Sequence, residues 1–434
     1  MNMSALRPDN PASTGWAPNT PLTATQLRWL SGLLLLSLLL RLIAAFGIDL
    51  YVQQAGRQFL VEGDANGYWE LAQHLAHGED YAIHSPPRRI LRTPGFPLLL
   101  AASIRLFGDS ITVASLVLAT VGSLCCLQLF VLTRRLAGTG PAIVALAIAA
   151  VSPLQIATSV QILSEGWFTC WVLANLLTLE PLLRQAPGLP ERHPLLQALL
   201  AGVAAGIGTL VRPGWILWPV VASILLLWLH RDRLRQRVLL AGLLCLAAWL
   251  TLLPWAARNY HVSGLWVHTS LWSGPSLYDG LNPEATGASD MRFLDAEGLY
   301  QRFSEAEVNE QYKQRAVEFA LKNPLRTLQL AFTKMLRFLS PTLHAPGLAF
   351  PLLNVFLGIW YVFLGFLTIQ GLFANRISLS SRLLLILPFL QFLAVHMVFV
   401  GSVRYRLPVE MPLMTVAACG LVALLSKRGR RLQP

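Results

Sequence analysis

Apolar residues run along this chain in long blocks, separated by loop-sized polar stretches, from Leu27 to Leu425. A helix that crosses a bilayer core of about 30 Å needs roughly 20 predominantly apolar residues at about 1.5 Å each. That rule predicts about ten spans, over 27–47, 110–133, 141–159, 162–183, 195–211, 213–230, 238–257, 351–373, 383–400 and 408–425. The expected fold is an all-α polytopic membrane protein. Two long loops, 48–109 and 258–350, interrupt the series.

Those loops carry shorter helical patterns. In VEGDANGYWELAQHLAHG, 61–78, Tyr68, Leu71 and Leu75 follow helical spacing and Gly78 supplies a stop. FPLLLAASIRLFG, 96–108, is too short to span and suits the membrane surface. EQYKQRAVEFALKNPLRTLQLAFTKMLRFL, 310–339, is amphipathic, basic and broken at Pro324. Such interfacial helices are expected to roof a cavity between the spans, shaped further by the Gly-, Asp-, Asn- and Pro-rich stretch from Gly274 to Glu307.

Composition narrows the class. The 434 residues are 54% hydrophobic and 13% charged, with a mean hydropathy of +0.53, leaving no room for a separate soluble core. One membrane domain, 27–425, is expected between a polar tail, 1–26, and a basic tail, 426–434. The first apolar run follows a polar stretch with several prolines and has no convincing cleavage site, so it is expected to stay as an anchor. Arg134 and Arg135, the run RDRLRQR at 231–237, Arg376, Arg382 and the tail KRGRR fall on one side of the predicted spans. The excess of basic residues in short loops makes that side, with both termini, cytoplasmic in a plasma (inner) membrane. The long loops then face out. The net charge of +12 is scattered over many loops, which suits topology and anionic lipid rather than nucleic acid. Cys125, Cys126, Cys170, Cys245 and Cys419 all sit inside apolar runs, so neither a disulfide framework nor a CxxC metal site is expected.

Four stretches carry candidate chemistry. Asp64 opens the helical pattern in the first long loop, where capping would stabilise the helix by about 1 kcal/mol and would need no chemistry; on local sequence alone, cap and function stand level. Arg92, in RRILRTPGFP, places a guanidinium at the membrane surface, and a guanidinium fork suits phosphate. Arg88 and Arg89 beside it read as lipid-contacting arginines. GSVRYRLPVEMP, 401–412, adds Arg404, Tyr405 and Arg406, with Glu410 either in a structural ion pair or in contact with substrate. QILSEGWF, 161–168, adds Glu165, read first as a helix cap and then as a substrate or metal contact. His74, His77 and His84 lack HExxH spacing, so no zinc site is expected. No glycine-rich loop follows a strand, so a nucleotide-sugar donor has no cradle.

The order GDANGYWELAQHLAHG, RTPGFPLLLAASIRLFG, ILSEGWF, PWAARNY, KNPLRTLQLAFTKMLRFLSP and RYRLPVEMP resembles the polyprenyl-phosphate-dependent glycosyltransferases of the GT-C superfamily. The likeness is strongest to bacterial relatives of protein mannosyltransferases and of the aminoarabinose transferase of lipid A. It implies a GT-C-like bundle and a membrane-borne polyprenyl-phosphate sugar donor. The acceptor hydroxyl would belong to a lipid, protein or growing glycan of the cell envelope. Asp64 stands where the family's catalytic acid is expected, although Ala65 follows it where many relatives carry an Asp-Glu pair. A positioned carboxylate can take the acceptor proton, and preorganised arginines can stabilise the leaving phosphate. The expected assignment is Asp64 as base in an inverting displacement. Arg92, Arg404 and Arg406, backed by Arg258 and Tyr405, take the phosphate, and Tyr68, Glu165 and Glu410 are accessory. No cofactor is firmly implied, and a divalent cation is left open. The rival reading is a transporter or flippase of lipid-linked saccharides, but the expected repeat between halves is not visible.

Overall fold

The computed structural model describes residues 21–184, 193–229, 233–344, 350–374 and 376–431. Residues 1–20 of the expected N-terminal tail, Arg231 and Asp232 of the basic run, and residues 432–434 of the expected C-terminal tail lie outside them. Among the described residues the elements are helical, apart from one isolated antiparallel bridge between Ile83 and Arg88.

The chain begins with α1, Ala24–Gln54, which Thr23 and Gln26 close in a reciprocal capping box. The first long loop folds into α2, Asp64–His77, and α3, Gly95–Phe107. Next come α4, Ile111–Ala137; α5, Thr139–Val151; α6, Pro153–Thr158; α7, Ser164–Leu183; α8, Pro194–Val211; α9, Trp218–Leu229; and α10, Leu234–Ser263. The second long loop holds α11, Ser273–Gly280; α12, Arg292–Glu297; α13, Glu305–Lys322; and α14, Pro324–Leu339. The chain closes with α15, Pro351–Phe373; α16, Leu379–Val398; α17, Val403–Glu410; and α18, Leu413–Arg431.

Seven described helices (α1, α4, α7, α8, α10, α15 and α16) are long and apolar enough to cross a bilayer, and the pair α17–α18, bent by 68°, makes up to eight. The chain is a multi-pass integral membrane protein. Large apolar side chains such as Leu39, Ile43 and Phe46 on α1, and Ile359 and Phe363 on α15, stand exposed on the outside of the bundle, as lipid-facing surfaces do. The Ala-rich α5 is buried at its centre.

Proline accounts for the three expected spans that differ. The stretch 141–159 breaks into α5 and α6 because Pro153 holds Ser152 extended, with ψ 116°. The stretch 213–230 starts with a 3₁₀ turn at Pro213–Trp215, so its helix is shorter. The last span begins at Val403 instead of 408 and bends past Glu410, just before Pro412.

The two long loops pack against each other. Ile90 accepts from Leu271 N–H at 2.9 Å. The Glu305 carboxylate accepts from Ile90 N–H at 2.9 Å and from Arg89 N–H. In the second long loop, α14 carries a stripe of exposed Leu325, Leu328, Phe332 and Leu336, the spacing of one apolar helix face.

Candidate active site

Asp64 is the first residue of α2, not its cap: Gly63 occupies the cap position at φ 77°, and no side chain caps the helix. The expected capping role is therefore replaced by ion pairing. Arg92 Nη2 reaches Asp64 Oδ1 at 2.8 Å, and Arg404 Nη2 reaches Oδ2 at 2.5 Å. The helix N-terminus adds a favourable field for the anion. Burial would raise this carboxyl, but the Coulombic pull of Arg92 and Arg404, with a hydrogen bond from each, holds it far below the usual carboxylate range.

The pairing continues inward. Arg404 Nε meets Glu165 Oε1 at 2.6 Å, and Arg212 Nη1 meets the same oxygen at 2.8 Å. Glu165, expected to cap α7, makes no cap bond and serves as the floor of this cluster. Its position near the N-terminus of α7 aims it across at α17 and at the turn after α8 instead of back at its own backbone. The line Arg92, Asp64, Arg404, Glu165, Arg212 sets three guanidiniums against two carboxylates, leaving one positive charge over. The Asp64 side chain is 35% exposed and that of Glu165 only 1%, so Asp64 is the acid that a ligand can touch.

Aromatic rings brace the cations. The Arg92 guanidinium lies 4.4 Å over the Tyr68 ring, and Tyr68 Oη donates to Ser164 Oγ at 3.5 Å. Arg212 and Arg404 lie 5.1 and 5.2 Å over the Tyr405 ring, which stacks on His396 at 4.5 Å. Such contacts fix a guanidinium without neutralising it. The loop carrying Arg92 is seated on the end of α8: Gly95 lies so close that a Cβ there would stand 2.6 Å from Leu210 O. Trp167 Nε1 also donates to Gly95 O at 3.0 Å.

Not every expected residue joins the cluster. Arg406 turns away: its Nε meets Glu410 Oε2 at 2.5 Å, and its Nη1 donates to Phe338 O and Ser340 O at 3.0 and 2.8 Å. Helical geometry puts it on another side of α17 from Arg404, and Glu410 is its buried partner. Arg258 donates to Arg89 O at 2.6 Å and Tyr81 O at 3.1 Å, bracing the first long loop behind Arg92. Arg212 was not among the candidates; the signal for it is an ionisable residue directly ending an apolar run, in LVRPGW. Both cluster carboxylates are engaged by guanidiniums, and among the described residues no three His, Cys, Asp or Glu side chains group as metal ligands.

Comparison with known proteins adds the fold. The dolichyl-phosphate-mannose-protein mannosyltransferase family matches residues 91–255, a stretch that holds Arg92, Glu165 and Arg212. No curated protein matches the chain. The oligosaccharyltransferase AglB from Archaeoglobus fulgidus, in complex with an inhibitory peptide and a dolichol-phosphate, superposes with a TM-score of 0.57 at 15% identity, covering 93% of this chain and 51% of that one. The chain has the GT-C fold. The A. fulgidus oligosaccharyltransferase tethered with an acceptor peptide containing the NVT sequon aligns at TM-score 0.53 and 16% identity, over 93% of this chain and 50% of that one. ArnT from Cupriavidus metallidurans bound to undecaprenyl phosphate aligns at TM-score 0.46 and 15% identity, over 93% and 78%. The chain spans about half the length of the oligosaccharyltransferase it resembles. In this GT-C fold Asp64 and Arg404 lie outside the family-matched stretch, yet close on Arg92 and Glu165 within it.

Proposed function

We propose that the protein transfers a sugar from a polyprenyl-phosphate donor to an acceptor hydroxyl on the extracytoplasmic face of the plasma (inner) membrane, with both termini cytoplasmic. The observation that carries this reading is the contact of one reachable carboxylate, Asp64, with two guanidiniums, Arg92 and Arg404, in a cluster with surplus positive charge. The GT-C fold, the mannosyltransferase family match and the dolichol-phosphate bound to AglB support it.

In the resting site the two arginines make Asp64 a poor base. A phosphate offers the same guanidiniums a better-charged, bidentate partner. As the donor's phosphate takes them, the Asp64 carboxylate is released and its basicity rises where the acceptor arrives. The acceptor oxygen then bonds to the anomeric carbon from the face opposite the phosphate, and its proton passes to Asp64. The anomeric carbon–oxygen bond to phosphate breaks with its electron pair, and polyprenyl phosphate leaves on Arg92 and Arg404. A single displacement inverts the anomeric centre.

The test incubates the purified protein in nanodiscs with radiolabelled polyprenyl-phosphate sugars and lipid, peptide or glycan acceptors. Label moving to an acceptor with inverted configuration, and release of polyprenyl phosphate, is the expected result. Retained configuration overturns the displacement. Movement of intact donor across vesicle membranes, with no bond cleaved, overturns the transferase reading in favour of a flippase.

A further inference from the structure

The segment Val398–Gly401, directly ahead of α17, is gripped from α14. Lys334 is buried outright, and its Nζ donates to Val398 O at 2.7 Å. One helical turn on, Arg337 Nε donates to Gly401 O at 3.2 Å. From the second long loop Gly287 O accepts Gly401 N–H at 3.1 Å, and a Cβ on Gly401 would collide with the backbone of Lys334. Helix and segment therefore touch backbone to backbone. Arg406, further along α17, returns the grip through Phe338 O and Ser340 O at the end of α14.

A buried ammonium is costly, and burial pushes Lys334 down to about 8. A leucine would fill the same space without that cost, so packing alone does not account for a lysine here. What the lysine adds is a donor that fixes one carbonyl three residues from the end of the grip and six from Arg404. Ser402 then caps α17 through Arg404 N–H, so a shift of Val398–Gly401 is passed on to the start of that helix.

We propose that Lys334 is a positioning residue for Arg404: by holding Val398–Gly401 against α14 it sets where α17 starts, and so where the Arg404 guanidinium meets the donor phosphate. The inference rests on the reading of Arg404 as a donor-phosphate ligand. A double-mutant cycle on the full chain in nanodiscs separates the two, with undecaprenyl phosphate as the probe and thermal melting recorded on each variant. Arg404→Met is expected to weaken binding; unchanged binding removes the donor-site reading itself. Lys334→Met is expected to raise Kd roughly tenfold in the presence of Arg404 and to have no further effect on the Arg404→Met background. Effects that multiply, or a Lys334→Met variant that binds normally, overturn the positioning role while leaving the donor site standing. If Lys334→Met does not fold, Arg337→Met, at the half-buried bond to Gly401 O, runs the same cycle under the same criteria.

Discussion

Arg404 and Arg406 leave one short helix two positions apart and end in opposite circumstances. Arg406 and Glu410 form a closed pair, 5% and 8% exposed, with two backbone carbonyls taking further donors from the arginine. The charges cancel, and both side chains are buried out of reach of solvent. Arg404 shares two acids with two other arginines, beside an Asp64 that solvent reaches. What sets the proposed binding centre apart is neither arginine nor burial, but cation left over at a point of access.

The strongest way to break that comparison is at Asp64. Asp64→Asn is expected to lower kcat by about 10²- to 10⁴-fold, with undecaprenyl phosphate binding retained, in the radiolabel assay. Arg406→Met is expected to act on folding instead: leaving Glu410 buried and alone costs about 3–5 kcal/mol. The drop would be read by thermal melting, and the double variant Arg406→Met/Glu410→Leu recovers most of it. Arg212→Met removes the surplus charge without touching Asp64, and donor affinity is expected to fall roughly tenfold at low salt. If it is unchanged, charge surplus is not what marks the centre.

A smaller effect sharpens the same point through pH. The folded pKa of Asp64 is depressed, so the clamp's contribution is present above the ordinary carboxylate pKa and is lost only as pH falls through the depressed value. In the proposed mechanism the donor occupies the arginines, which raises that pKa. The acid limb of kcat, which reports the bound complex, is therefore expected at higher pH than the acid limb of kcat/KM, which reports the free enzyme. Coincident limbs would show that the donor leaves the clamp intact.

Much of the fold was legible because its signal is one-dimensional. Each of the ten apolar runs is helical in the structure, and only where proline intervenes, at Pro153, Pro213 and Pro412, does a run split, shorten or bend. Asp64, Arg92 and Arg404 were each visible in their own stretches, since charge at the rim of an apolar run is conspicuous. Their pairing was not visible, because 28 and 340 residues separate Asp64 from its two partners. Arg406 was grouped with Arg404 although residues two apart on a helix point about 200° from each other, a constraint that favours at most one of them. Arg212 carries the same signal, an ionisable residue ending an apolar run, without any motif to single it out. Glu165 was read as a cap because the acid that opens a helix satisfies both descriptions until its neighbours are known.

The seat of Gly95 on the end of α8 fixes how two parts of the cluster meet. The strand of chain holding Arg92 and the turn holding Arg212 meet there with nothing between them but main chain. Carbon added at position 95 would stand 2.6 Å from Leu210 O, so the main chain itself would have to give way. If the proposed transfer holds, any change at this glycine is felt at once by both arginine-bearing segments.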